Sequence, residues 1–165
     1  MASILNVDQI GHSTSGTTAL TIDSTGRILT PARPAFRGTK SYTSANFTTE
    51  TDISGYTEDF DIGGAFDATA GTYTVPLTGI YQINVQQFGN ANFSLALQTR
   101  LRLYIGSTVD DFDEMYDDPQ GGQSSSLLIT QTKSLTAGQV LKVAFFVNTD
   151  TSVAARFVFS GYLVG

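Results

Sequence analysis

The sequence predicts an all-β protein of two facing sheets, and three observations carry that expectation. The stretch Asp67 to Gln86 reads DATAGTYTVPLTGIYQINVQ, in which Tyr73 and Val75 alternate with Thr72 and Thr74, and Tyr81, Ile83 and Val85 with Gln82, Asn84 and Gln86. Strand side chains point alternately to two faces, so each run has an apolar and a polar side. Between the runs lie Pro76, which cannot donate to a ladder, and Gly79, which is free to take a positive φ; the chain is expected to pass there from one sheet to the other. Sixteen glycines, abundant Thr and Ser, and no convincing window with apolar residues at i, i+3, i+4 and i+7 argue against helices.

An apolar content of 41% over 165 residues suits one compact core plus a short arm. Nowhere do about eighteen apolar residues run together, so no membrane insertion is expected. Met1 to Leu5 lacks the basic and apolar regions of a secretory signal. There is no Cys, which excludes disulfides and thiolate metal sites, and the sequons at Asn46 and Asn92 have no expected role. The net charge of −6 is uneven: residues 1–40 hold four basic residues against two acids, net +2, and residues 41–165 five against thirteen, net −8. Arg27, Arg33, Arg37 and Lys40 have no aromatic stacking platform beside them, so an acidic protein partner, or simple solubility, is expected and no nucleic acid.

Residues 1–30 form the arm. Leu5-Asn6-Val7-Asp8 recurs fifteen positions on as Leu20-Thr21-Ile22-Asp23, with the turn formers Gly11 to Thr18 between, a two-copy repeat of strand and turn. Such an arm has too few apolar residues for its own core and should order on copies of itself or on a docking surface. Ile4, Leu5, Val7, Ile10, Leu20, Ile22 and Arg27 are its candidate attachment residues. Residues 31–34, from Pro31 to Pro34, make a stiff joint, and the head, 35–165, begins with a strand at Ala35-Phe36. In residues 41–66 Tyr42, Phe47, Tyr56, Phe60 and Phe66 are scattered among turn formers, which predicts strands with long loops.

From Leu95 to Ile105 the alternation is the longest in the chain, with Leu95, Leu97, Thr99, Leu101, Leu103 and Ile105 opposite Ala96, Gln98, Arg100, Arg102 and Tyr104, and predicts a half-buried strand. Asp110 to Asp118 holds six acids in nine residues and is closed by Pro119 and Gly121-Gly122; it reads as a loop. Leu127 to Thr132 is a further strand. The last two strands have two apolar faces: Leu141, Val143, Phe145 and Val147 against Ala144 and Phe146, then Phe157, Phe159 and Leu163 against Val158, Tyr162 and Val164. Contiguous apolar surface marks an interface, so self-association is expected through Tyr104, Phe146, Val158 and Tyr162.

With these residues in place, the head resembles the C1q domain of the C1q and tumour necrosis factor superfamily. The likeness rests on Ala35-Phe36, on Phe66 through Gly71-Thr72-Tyr73-Thr74-Val75-Pro76 and Gly79-Ile80-Tyr81, on Leu135-Thr136-Ala137-Gly138-Gln139-Val140, and on Phe159-Ser160-Gly161-Tyr162-Leu163. It implies a ten-strand jelly-roll sandwich assembling as a homotrimer. The chain departs from the family at Gln139, where the family has Asp, and has no collagen stalk. The arm instead resembles N-terminal segments of tailed-bacteriophage virion proteins, particularly of marine phages.

That second resemblance implies a virion structural protein: a trimeric capsid decoration (cement) protein or short head fibre on the virion surface, held by its arm to other virion proteins. The alternative is a tail-fibre, receptor-binding tip that recognises a host surface ligand. No enzyme is expected. The single His12 lies in a Ser/Thr/Gly-rich stretch that offers no rigid scaffold for a base. No cofactor or metal is expected either, since Asp110 to Asp118 lacks the ladder of a calcium loop and reads as a solvated charge block. Gly63-Gly64 and Gly121-Gly122 lack the Lys and helix of a phosphate loop and read as turns.

Overall fold

The computed structural model describes residues 9–11, 18–89, 98–115, 126–148 and 153–164. Ile4, Leu5, Val7, His12, Asn92, Leu95, Ala96, Leu97, Asp117 and Asp118 therefore lie outside the described residues. Regular structure among those described is all strand. The arm supplies β1 (Gln9–Gly11), β2 (Thr18–Ile22) and β3 (Ile28–Leu29); the head supplies β4 (Ala35–Ala45), β5 (Thr51–Asp52), β6 (Thr57–Ile62), β7 (Phe66–Asp67), β8 (Thr72–Thr74) and β9 (Gly79–Gly89). It continues with β10 (Thr99–Ile105), β11 (Thr108–Met115), β12 (Ser126–Leu135), β13 (Val140–Val147) and β14 (Val153–Leu163).

The arm strands form their own sheet in the order β1-β2-β3. In the head, one sheet runs β12-β9-β14-β4-β6 and the other β11-β10-β13-β8-β7, with β5 also paired to β13. The strand pairings among the described residues are all antiparallel. The expected crossing at Pro76 is therefore real: β8 lies in the six-stranded sheet and β9 in the five-stranded one. Backbone bonds clasp it, because Val75 N–H donates to Gln139 C=O and Gly138 N–H to Val75 C=O, both at 2.8 Å. The Tyr81 hydroxyl donates to Leu77 C=O at 2.8 Å, pinning the same turn. Positive φ falls not on Gly79 but on Gly71 (74°) and Gly138 (89°). Gln139 still caps its turn, accepting from Thr136 N–H at 2.7 Å with its amide oxygen.

The core explains why the motif residues recur in this order. Phe36 on β4 stacks on Tyr73 of β8 at 4.0 Å and on Phe66 of β7 at 5.0 Å, and meets Phe159 of β14 edge-on at 4.8 Å. Phe66 and Tyr73 come from one end of the six-stranded sheet and Phe36 and Phe159 from the five-stranded one, so a single aromatic cluster joins both layers. Gly161 is required beside it: a Cβ there would sit 2.7 Å from Ile83 Cδ1 and 2.9 Å from Phe36 Cε1. Pro34, at the end of the joint, is buried, and its carbonyl accepts from Leu163 N–H at 2.9 Å.

One sequence expectation is corrected here. Residues 110–115 are not a loop; they belong to β11, paired with β10 from Thr99↔Met115 to Ile105↔Thr108. The acids obscure the alternation, but three of the four described ones find donors on neighbouring strands. Asp110 pairs with Lys133 and accepts from Gln131, Asp113 accepts from Leu128 N–H at 2.9 Å, and Glu114 pairs with Arg100 at 2.7 Å.

Candidate interaction surface

The outward face of the five-stranded sheet can be assembled row by row from its register. One row reads Leu128, Gln86, Val158, Thr39; the next Thr130, Asn84, Ser160, Arg37, Phe60; the next Thr132, Gln82, Tyr162, Ala35, Ile62. A row above the first holds Ser126, Phe88, Arg156 and Ser41. The inward neighbours Ile83, Val85, Phe157 and Phe159 are buried, so these residues face away from the core. Among them Leu128 is 52% exposed, Tyr162 47% and Phe88 40%, and Phe60 and Ile62 are exposed at the β6 edge.

The polar residues between these apolar ones are neutral and bonded to each other. Thr132 Oγ1 donates to Gln82 Oε1 at 2.7 Å, Gln82 Nε2 to Thr130 Oγ1 at 3.1 Å, and Thr130 Oγ1 to Asn84 Oδ1 at 2.6 Å. A self-satisfied amide and hydroxyl ladder loses little when water is taken away. The charges in these rows are guanidinium groups: Arg37 pairs with Asp59 at the sheet edge, whereas Arg156 has no ion pair among the described residues. Arg37, Asn84, Gln86, Phe88, Leu128, Arg156, Val158 and Ser160 surround a hollow of about 430 Å³. On a head whose sequence, residues 35–165, is net −6, this face has been cleared of free carboxylates.

The four residues expected at one interface are not brought together. Val158 and Tyr162 lie on the face just described, but Tyr104 and Phe146 lie on the outer face of the opposite sheet. There the chain covers them itself. The Arg100 guanidinium stands 5.8 Å over the Phe146 ring and the Lys142 ammonium 5.1 Å over the Tyr104 ring. The Tyr104 hydroxyl donates to Glu50, which also pairs with Arg102; burial, then the Glu50 bond, raises this phenol above its ordinary value. Ala144, cross-strand from Arg102 and Asp52, is fully buried. The second apolar face of β13 is thus sheathed by long cationic side chains of its neighbour β10, whose apolar stems and charged heads suit that task.

In the arm, Ile10↔Leu20 and Ile22↔Ile28 are cross-strand pairs, which places all four on one face of the small sheet. Ile10 is 50% exposed and Ile28 68%, and with Leu20, Ile22 and Gln9 they line a groove of about 80 Å³. Arg27, expected at the attachment site, is occupied in the β2–β3 turn. Its guanidinium bonds Asp23 at 2.6 Å, while Asp23 also accepts from Thr25 N–H at 2.9 Å and Arg27 N–H at 3.0 Å. The Thr25 hydroxyl, which donates to the same carboxylate at 2.7 Å, and after it the Arg27 N–H and guanidinium hold the Asp23 carboxyl down at about 2. No group of three His, Asp or Glu among the described residues is arranged to hold a metal ion.

No family model matches the chain, and no curated protein matches it either. Solved structures do. The globular domain of zebrafish complement 1qA superposes with a TM-score of 0.63 at 16% identity, covering 80% of this chain and 98% of its own. The PRD1 vertex protein P5 gives 0.61 at 18% identity, over 92% of this chain and 85% of its own. Eiger TNF from S. frugiperda gives 0.53 at 12% identity, over 81% and 94%. At such identities the likeness is one of fold: the head is a C1q/TNF-like jelly roll.

Proposed function

We propose that this chain is a bacteriophage virion structural protein: a homotrimer whose heads pack through the outward face of the five-stranded sheet and whose residues 1–30 fasten it to other virion proteins at the particle surface, as a capsid decoration protein or short head fibre. The observation that carries the trimer is the acid-cleared face bearing Phe88, Leu128, Val158 and Tyr162, an apolar and self-bonded surface on an otherwise acidic head. The virion role is supported by the likeness to the PRD1 vertex protein P5, which extends over 92% of the chain. No enzymatic role is proposed. The phenols of Tyr56 and Tyr73 are raised by burial in the core and are held neutral.

A second reading, a fibre tip that binds a host surface ligand, is favoured by one feature. The hollow around Arg156 offers a guanidinium, two amides and the Phe88 ring. The two readings separate on particles made without the protein. A decoration protein leaves adsorption intact and lowers the thermal or osmotic stability of the particle. A fibre tip does the reverse, and an Arg156→Ala protein then restores particles that still fail to adsorb.

A further inference from the structure

We infer that the aliphatic face of the arm sheet is covered by the same face of sister subunits, so that three arms pack into one shaft about the trimer axis, and that contact with the particle falls to other parts of residues 1–30. The inference rests on the trimeric reading above and deepens it. Strands of 3, 5 and 2 residues bury little apolar surface by themselves, so covering the aliphatic face stabilises the sheet. Ile10, Leu20, Ile22 and Ile28 form the face, and among the described residues no head strand makes an extensive contact with the arm strands.

Charge selects the sister copy as the occupant. Among the described residues the face bears no ionisable group, and the arm's described ions, Asp23 and Arg27, neutralise each other in the turn, so these parts of the copies meet without repulsion. Shape agrees. Beside the exposed Ile28 lies the groove of about 80 Å³, room for one branched aliphatic side chain from a neighbour. A knob and a hollow on the same face make a contact that repeats from copy to copy and closes into a ring.

The absence of Cys from the chain makes this directly testable. Full-length Ile28→Cys and, as a second reporter, Ile22→Cys are compared with Thr21→Cys on the opposite face, after mild oxidation of the free protein and electrophoresis without reductant. The expected result is a dimeric band from Ile28→Cys or Ile22→Cys, lost on reduction and missing from Thr21→Cys, in proteins that all sediment as trimers. Trimers without that band, or with an equal band from Thr21→Cys, overturn the shaft and leave the trimer standing. So do trimers in which maleimide labels Cys at position 28 freely in solution and only particle binding protects it, which assigns the face to a virion protein. Sedimentation as a monomer overturns the trimeric reading itself.

Discussion

Asp110 of β11 and Lys133 of β12 form an ion pair across the seam between the two head sheets. The carboxylate also accepts from Gln131 Nε2 at 2.8 Å, and three positions on Asp113 reaches the same strand through Leu128 N–H. The stretch with the densest negative charge is therefore a clasp along an open edge of the sandwich. Asp110→Ala removes both bonds, and because Lys133 is partly exposed the expected cost is about 1–2 kcal/mol in urea unfolding. An unchanged midpoint would show that the seam does not depend on these acids.

Phe36 has no exposed surface and touches three rings from two layers. Phe36→Ala is expected to cost about 3–5 kcal/mol, since the cavity lies where the sheets cannot collapse independently. Calorimetry of the head should show the loss; a change under about 1 kcal/mol would mean the cluster repacks freely.

Two glycines with similar φ should respond differently to the same change. At Gly71 an added Cβ would overlap the Ile53 carbonyl oxygen and lie 3.0 Å from Ser54 Cα, so Gly71→Ala combines left-handed strain with a backbone clash. At Gly138 nothing lies within 4 Å of the added atom, and only the strain remains, about 1 kcal/mol. Thermal midpoints should fall severely for the first and slightly for the second. Equal effects would refute the packing at Gly71.

Tyr162→Asp is expected to prevent trimer formation, because a charge would be buried at three equivalent sites. Phe146→Leu is expected to leave the trimer intact, as Arg100 already covers that ring. Sedimentation velocity decides both. A trimer that survives Tyr162→Asp and fails with Phe146→Leu would move the interface to the opposite sheet.

Asp23 gives the arm a signature in acid. Its carboxyl titrates at about 2 in the folded turn against an ordinary 3.8, so the unfolded arm takes up the proton first as pH falls. The stabilisation is complete above 3.8 and fades as pH drops toward 2. Amide resonances of Thr25 and Arg27 should hold steady from neutral pH to about 4 and shift below it. Asp23→Ala should abolish that low-pH step.

Local alternation was enough to read several elements. The runs at 72–75 and 81–86 identify β8 and β9 and their inward residues, and Thr99, Leu101 and Leu103 are buried on β10 as their spacing requires. Strand β11 was hidden because acids occupy both of its faces, and only the donors waiting on β10 and β12 make that tolerable. The Asp23–Arg27 turn left its mark in the sequence as Asp-Ser-Thr-Gly-Arg, yet residue order alone does not show that Arg27 bonds this local partner and not an external one.

The residue order by itself determined an all-β chain, the change of sheet at Pro76, the aromatic motif residues that meet in the core, and which side chains share a face of each strand. Only the tertiary structure decided what covers those faces. Phe146 and Val158 look alike along the chain, but β13 lies beside β10, whose Arg100 reaches over the Phe146 ring, whereas Val158 on β14 lies between Gln86 of β9 and Thr39 of β4, which are neutral. Period-two patterning is a property of a strand alone; coverage depends on which strand comes to lie next to it, and that is fixed by contacts between residues far apart in sequence.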